Sequence, residues 1–356
     1  MKLRLGITAG LGMLAACLPE LVQHEGEHIL YEHSAGYSIC AGTVAYLDDL
    51  VVAYSEHLNV PMPGQVRYSW LDAADRKALL GNLAEGKGGF APGTHAMSFD
   101  DPASTHELVH ALVFADPLTP YFNEGLATTY DVLAHGWPVL FHTPQSVDPR
   151  TDLFAISSDD VDYFDAARFT AFLLTRHGHD KLYRLNARLY PPYTEAQLSR
   201  AFRAIYDLDF AEEVDHFMRG DLGCEDFPHD LSTAICSAPV LPWSGDTWTF
   251  AGFMDCDDPA TVGGIDPRGG PPIFQIVSVQ IPRAGIYDLD AHSDVRVEFT
   301  LSPCFGCPGQ GVPSYVPAGE HLAVNLEPGL HQLRVDSYAD DAQPFAVTLR
   351  PRDTDD

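Results

Sequence analysis

The spacing of apolar residues changes near residue 240, and this change limits the possible folds most. Before it, helical and extended patterns alternate, whereas residues 245–351 are almost wholly strand-like. Residues 295–301 alternate apolar and polar side chains without a break, which is typical of a strand with one buried face. Six or seven such segments predict an antiparallel β-sandwich. The predicted fold class is therefore α+β, with mostly helices and a small antiparallel sheet over residues 41–240, followed by an all-β sandwich over residues 245–351.

Residues 1–16 have the pattern of an export signal. Lys2 and Arg4 precede an uncharged stretch that is too short to cross a bilayer of about 30 Å as a permanent helix. This stretch ends in Leu-Ala-Ala-Cys, which resembles a bacterial lipobox with Cys17 as the lipidated residue. We expect residues 17–40 to form a lipid-anchored N-terminal segment at the bacterial cell envelope or surface. The alternative is an ordinary signal peptide and a secreted protein.

The charge of the chain excludes some partners. Asp and Glu number 50 against 21 Lys and Arg, which gives a formal net charge of -29. Nucleic acid and anionic membrane surfaces would both repel such a chain. We therefore expect no nucleic-acid partner and contact with the membrane through the lipid anchor only. A monomer is the working expectation, although the sequence leaves the oligomeric state open.

An even number of cysteines in an exported chain indicates disulfides. Beyond Cys17 the cysteines are Cys40, Cys224, Cys236, Cys256, Cys304 and Cys307. We favour the local pair Cys224 with Cys236, which brackets a short loop. A structural role is expected for the last two cysteines, and Cys256 pairing with one of them is a further expectation, although the sequence leaves the connectivity open.

The sequence His106-Glu107-Leu108-Val109-His110 matches H-E-x-x-H. Asp101-Pro102 supplies an N-cap and a first-turn proline, so we predict a helix from there to about residue 115. On a helix, positions i and i+4 lie one above the other, and both imidazoles can bind one metal ion. Glu107 projects about 100° around the helix, beside the ion, where it can accept a proton.

A zinc site needs a third protein ligand. Thr119-Pro120 predicts the start of a second helix, and Glu124 lies on it, 14 residues after His110. A short turn would bring this helix antiparallel to the first and complete a His2Glu set. Gly125 would then allow the two helices to approach closely.

The sequence also contains a second match, His24-Glu25-Gly26-Glu27-His28. Its intervening Gly-Glu pair provides no buried helix face, so we interpret it as a chance match in a solvated or strand-entry segment. Isolated H-E-x-x-H sequences without any metal are common. The apolar residues inside the 106–110 match and the downstream Glu124 distinguish it from the 24–28 match.

Together, the H-E-L-V-H sequence and the following Asn123-Glu124-Gly125-Leu126-Ala127 resemble the gluzincin zinc peptidases, in particular their peptidase MA-like branch. The resemblance covers about residues 40–210. It implies a zincin-like metallopeptidase domain that binds zinc through His106, His110 and Glu124. Residues 94–99 would be an edge strand beside the cleft that pairs with an extended peptide.

The same resemblance implies that Glu107 is the general base of peptide hydrolysis. A ligand histidine needs an acceptor for its other ring nitrogen, and Thr128 or Asp131 are the candidates, with an ordinary surface role as the alternative. Tyr163, placed just before a predicted helix over residues 165–177, is the candidate oxyanion donor, although an aromatic residue is more often part of a core.

The leading hypothesis is a zinc-dependent peptidase, expected to be an endopeptidase acting on protein or peptide substrates. The second hypothesis is a non-catalytic, surface-anchored binding module with a structural or degenerate zinc site. A closed four-ligand site would favour the second, and the sequence identifies no substrate preference.

Overall fold

The computed structural model describes residues 20–81, 88–113, 118–135, 148–219, 238–269, 272–294, 296–304, 314–338 and 343–352. The expected signal peptide, Cys17 and the Cys224–Cys236 pair lie outside these residues. Helices and several β-sheets form an α+β fold, and no helix among the described residues is both long and apolar enough to span a membrane.

The first domain combines helices with one mixed sheet. The strands of this domain are β1 (Leu21–Glu25), β2 (Ile29–Ser34), β3 (Ser38–Ile39), β4 (Val66–Trp70), β5 (Gly89–Phe90) and β6 (His95–Ser98). All of them except β3 belong to the mixed sheet. Its helices are α1 (Thr43–His57), α2 (Ala73–Leu80), α3 (Thr105–Leu112), α4 (Pro120–His135), α5 (Tyr163–His177), α6 (His179–Asn186), α7 (Glu195–Tyr206) and α8 (Phe210–Met218). Aromatic and aliphatic side chains from both helices and strands form one buried core.

The sheet corrects two predictions. Its order is β1-β2-β4-β6-β5, and β2, β4 and β6 run parallel, so the predicted antiparallel sheet is wrong. Strand β6 is not the edge strand either, because β5 pairs with it at Met97 and Ser98. Strands β1 and β2, within the residues 17–40 expected to form the anchored segment, are part of the same sheet.

The second domain is a β-sandwich, as its alternating pattern predicts. Its strands are β7 (Val240–Leu241), β8 (Trp248–Met254), β9 (Gly264–Ile265), β10 (Ile273–Ile281), β11 (Gly285–Ser293), β12 (Val297–Pro303), β13 (Ser314–Pro317), β14 (His321–Leu326), β15 (Gly329–Ser337) and β16 (Gln343–Pro351). One sheet has the order β13-β12-β15-β10-β7 and the other β14-β11-β16-β8. Apolar side chains from the inner faces of both sheets share one core.

The two domains are joined by more than the chain. A disulfide connects Cys40 to Cys256, so the expected pairing of Cys256 with Cys304 or Cys307 is wrong. Cys304 is itself disulfide-bonded. Strand β3 pairs with β9, and the Thr43 hydroxyl donates to the carbonyl of Gly263 at 2.7 Å.

Each core also receives side chains from the other domain. Val262 and Phe274 come from the second domain but are buried in the core of the first, whereas Cys40 packs into the core of the sandwich. The two domains therefore share an interior instead of meeting at a solvated surface.

Candidate metal centre

The structure brings together the three side chains that the sequence selects as metal ligands. The Nε2 atoms of His106 and His110 are 3.0 Å apart, and each lies 3.2 Å from Oε2 of Glu124. A search of the described residues for groups of three or more possible metal ligands identifies these three side chains. Three donor atoms of these types, this close together, would hold one divalent ion, which would supply a Lewis acid at this point.

The orientation of the rings also fits a shared ion. The ring centroids of His106 and His110 are 4.7 Å apart, with the rings nearly perpendicular. A second pair, His24 and His33, has a similar Nε2–Nε2 distance of 3.1 Å but centroids 5.3 Å apart. In that pair the nitrogens point at one another, as in an N–H···N hydrogen bond. The rings of His106 and His110 instead meet nearly at right angles, a geometry compatible with two ligands of one ion.

The second H-E-x-x-H match does not form a site. His24 and Glu25 lie in β1, and Gly26 hydrogen-bonds Ile29 across the turn to β2. Since this segment is a strand and a turn, His24 and His28 are not on one helical face. The interpretation of a chance match at a strand entry agrees with this structure.

Local interactions place the ligand helix α3. Its N-cap is Ser104, whose hydroxyl accepts from the backbone N–H of Glu107, so the predicted start at Asp101-Pro102 is wrong. The Asp101 carboxylate instead accepts from the N–H of Ala103 in the preceding turn. Leu108 and Val109 are fully buried and hold the helix against the core. His106 and His110, which flank this apolar pair in the sequence, line a cavity together with Glu124.

Glu124 reaches the histidines from α4, which begins at Pro120 as predicted. Gly125 follows it, and a Cβ atom there would lie 2.3 Å from Thr170 Oγ1 and 2.6 Å from the carbonyl oxygen of Ala166. Both of these residues are on α5. The expected close approach at Gly125 is therefore real, but its partner is α5 and not the helix that carries the histidines.

The electrostatics of Glu124 favour its anion. Burial acts to raise the pKa of this carboxyl, but hydrogen bonds with His106 and His110 outweigh it and hold the pKa well below its usual range. A carboxylate that is ionised and nine-tenths buried is the type of oxygen donor that a divalent cation requires.

The two predicted orienting residues contact different partners. Thr128 Oγ1 lies 3.5 Å from Nδ1 of His106, where it can fix the orientation of that ring. Asp131 instead accepts a 2.5 Å hydrogen bond from the hydroxyl of Thr105. It therefore contacts α3 at the residue before His106 and does not contact the imidazole itself. Nδ1 of His110 is buried and has no partner among the described residues.

Glu107 lines the same cavity of about 500 Å³ as the three ligands. Its carboxylate lies against the backbone of β5, because a Cβ atom on Gly89 would lie only 2.1 Å from Oε1 of Glu107. Glycine at position 89 thus leaves the space that this carboxylate occupies. No spacing in the sequence indicates this contact with Glu107.

Tyr163 also reaches the cavity. It is the first residue of α5 and does not precede the helix, and its ring stacks on His106 with centroids 5.7 Å apart and an interplanar angle of 3°. Burial raises the pKa of Tyr163, and the negative charge of Glu124 raises it further. The phenol therefore remains a hydrogen-bond donor at neutral pH.

The sequence did not identify the other polar residues of this cavity. Asp100, Asp101 and Ser104 come from the connection between β6 and α3, and Ser158 and Asp159 come from a 3-10 turn before α5. They are brought together by tertiary structure, so no local spacing marks them.

No protein-family model and no curated protein sequence matches the chain. Among solved structures, the pre-peptidase C-terminal domain of a Bacillus anthracis collagenase is 13% identical, covers 32% of this chain and 94% of its own, and has a TM-score of 0.23. A periplasmic inhibitor of g-type lysozyme from Aeromonas hydrophila is 10% identical, with 32% and 96% covered and a TM-score of 0.23. A carbohydrate-binding module of a Zobellia galactanivorans laminarinase is 12% identical, with 29% and 98% covered and a TM-score of 0.19. At these TM-scores we draw no conclusion about function.

Proposed function

We propose that this protein is a zinc-dependent peptidase with a zincin-like first domain. The observation that supports the proposal most is the convergence of Nε2 of His106, Nε2 of His110 and Oε2 of Glu124 within 3.2 Å of one another. Two imidazoles and one carboxylate are the ligand set of several catalytic zinc sites, which keep a further position for water or substrate. All three side chains line an open cavity, as a catalytic site requires.

The roles of the residues follow from their positions. When bound, zinc lowers the pKa of a coordinated water towards neutrality and polarises the scissile carbonyl. Glu107 lies beside the ligands in the same cavity, where it accepts the proton and passes it to the leaving amine. Tyr163 donates its phenolic hydrogen to the oxygen on which negative charge develops. Thr128 maintains the orientation of the His106 ring.

The test compares two substitutions that remove the same charge. Glu107→Gln should retain one zinc per chain and lose about 10²- to 10⁴-fold in the rate of hydrolysis of an unfolded protein, because the general base is lost. Glu25→Gln, in the second H-E-x-x-H match, is the control and should leave both zinc content and rate unchanged. His110→Ala should lose the zinc, as measured by metal analysis of the purified chain.

Turnover that survives Glu107→Gln would contradict the assigned mechanism. A chain that binds one zinc through these ligands but cleaves no peptide would instead support the non-catalytic binding module.

A further inference from the structure

Gly89 of β5 and Glu107 of α3 occupy adjoining space in the wall of the metal cavity. A Cβ atom on Gly89 would lie 2.6 Å from Cγ of Glu107 and closer still to its Cδ and Oε1 atoms. We propose that Gly89 is a positioning residue for the general base: the absence of a side chain at this point of β5 determines where the carboxylate of Glu107 lies beside the metal ligands. The effect on the reaction rate rests on the proposed peptidase function, whereas the contact itself does not.

The backbone conformation does not explain a glycine at this position. Gly89 has no positive φ, so alanine could adopt the same backbone angles. The preceding residue, Gly88, also has no positive φ, and a Cβ atom there would lie 3.4 Å from Oδ2 of Asp100, an ordinary van der Waals distance. The two adjacent glycines therefore differ in their surroundings: Glu107 fills the Cβ position of Gly89, whereas a methyl group would fit at Gly88.

Neither backbone can move apart to make room for a side chain at position 89 without losing other contacts. Gly89 pairs with Ser98 of β6, and the carbonyl oxygen of Gly88 accepts from the N–H of Phe99 at 2.9 Å. On the other side, α3 is held by its buried apolar face. The side chain of Glu107 would therefore move before either backbone does.

The conflict reaches beyond the tip of the Glu107 side chain. Because Cγ is also too close, a rotation of the carboxylate about its last bond would not clear a Cβ atom on Gly89. The side chain must instead rotate about χ1, which has discrete staggered wells, and the g+ well is rare in a helix. A change of well displaces the carboxylate by ångströms, and a misplacement of about 1 Å can lower a reaction rate about 10²-fold.

The first experiment compares Gly89→Ala with the matched control Gly88→Ala in the zinc-loaded full chain, with dye-labelled casein as the substrate. Gly89→Ala should retain one zinc per chain and a KM within about twofold of the unmodified chain, while its kcat should fall about 10²-fold. Gly88→Ala should change neither zinc content nor kcat by more than about twofold. A general loss of structure would lower zinc content together with kcat, so the separation of the two identifies a positioning role.

The second experiment does not depend on catalysis. The shift of the urea unfolding midpoint caused by Gly89→Ala is measured in the unmodified chain and in Glu107→Ala. The shift should be less favourable in the unmodified chain, where the added methyl group overfills the space beside Glu107. In Glu107→Ala the atoms that conflict with the methyl group are absent, so the two substitutions should be strongly non-additive.

An unchanged kcat in Gly89→Ala, or equal midpoint shifts in the two backgrounds, would overturn the proposal. If Gly89→Ala does not fold, the double variant with Glu107→Ala decides: a folded double variant supports the proposal, and an unfolded one overturns it. If the unmodified chain cleaves no casein while the midpoint shifts still differ, the peptidase function is refuted, and Gly89 still determines the position of the Glu107 side chain.

Discussion

Gly125 offers a quantitative test of how the protein positions the carboxylate ligand. In Gly125→Ala the added Cβ would lie 2.6 Å from the carbonyl oxygen of Ala166, roughly 0.8 Å short of ordinary van der Waals contact. That oxygen belongs to the backbone of α5 and cannot rotate away, so α4 and α5 must separate. Alanine is better than glycine in a helix by about 1 kcal/mol, but overpacking costs about 1–3 kcal/mol. We expect a net loss of up to about 2 kcal/mol in the free energy of unfolding, measured with urea.

The same separation should displace Glu124, the neighbouring residue. Ligand geometry tolerates displacements of only about 0.5 Å, so zinc affinity should fall by about tenfold or more in a chelator-competition titration. Thr170→Ala removes the second close contact, at 2.3 Å, and should restore only part of the loss because the Ala166 carbonyl remains. If Gly125→Ala instead stabilises the protein by about 1 kcal/mol with unchanged zinc affinity, the helices are not in the contact described here.

Three further predictions concern other parts of the molecule. Burial, and then the charge of His57, lower the pKa of His179 to about 4. As the pH falls, His179 of the unfolded chain binds its proton at a higher pH than His179 of the folded chain. The contribution of neutral His179 to the free energy of unfolding is therefore complete above about pH 6.5 and is lost towards pH 4. The loss from pH 7 to pH 5 should be about 2 kcal/mol and should disappear in His179→Gln, measured by urea unfolding at both pH values. Thr128→Val should lower zinc affinity about tenfold in a chelator titration, and an unchanged affinity would show that its hydroxyl does not orient His106. Replacing Cys40 and Cys256 by alanine opens a loop with a sequence separation of 216, so unfolding free energy should fall by up to about 5 kcal/mol; a loss below about 1 kcal/mol in urea would contradict this estimate.

The sequence predicted the features that depend on local spacing. His106 and His110 lie one helical turn apart, and Thr119-Pro120 starts α4, so both ligand helices could be placed from neighbouring residues alone. The alternation of side chains likewise predicted the sandwich. The start of α3 was wrong because Asp101 caps a turn whose position depends on Tyr68, a residue of β4 whose hydroxyl accepts from the N–H of Ser104.

The errors elsewhere concern partners that are distant in sequence. Parallel pairing of β2, β4 and β6 depends on which strands become neighbours in three dimensions, and a strand pattern does not contain that information. The Cys40–Cys256 disulfide and the contact of Gly125 with α5 also join residues that are distant in sequence, so no local pattern predicts them. A second cavity in the described part of the chain combines residues 37, 70, 76, 99 and 268, and no local pattern connects them.

The exchange of side chains between the two cores has a consequence for how the protein is assembled. During synthesis, the first domain leaves the ribosome well before Phe274 and Val262, which fill part of its interior. Until those residues arrive, its Cys40 thiol lacks the partner found in the finished molecule. The helical half should therefore reach its rigid form only when the last third of the chain is present, and a gene shortened to end near residue 240 should yield an incompletely packed product.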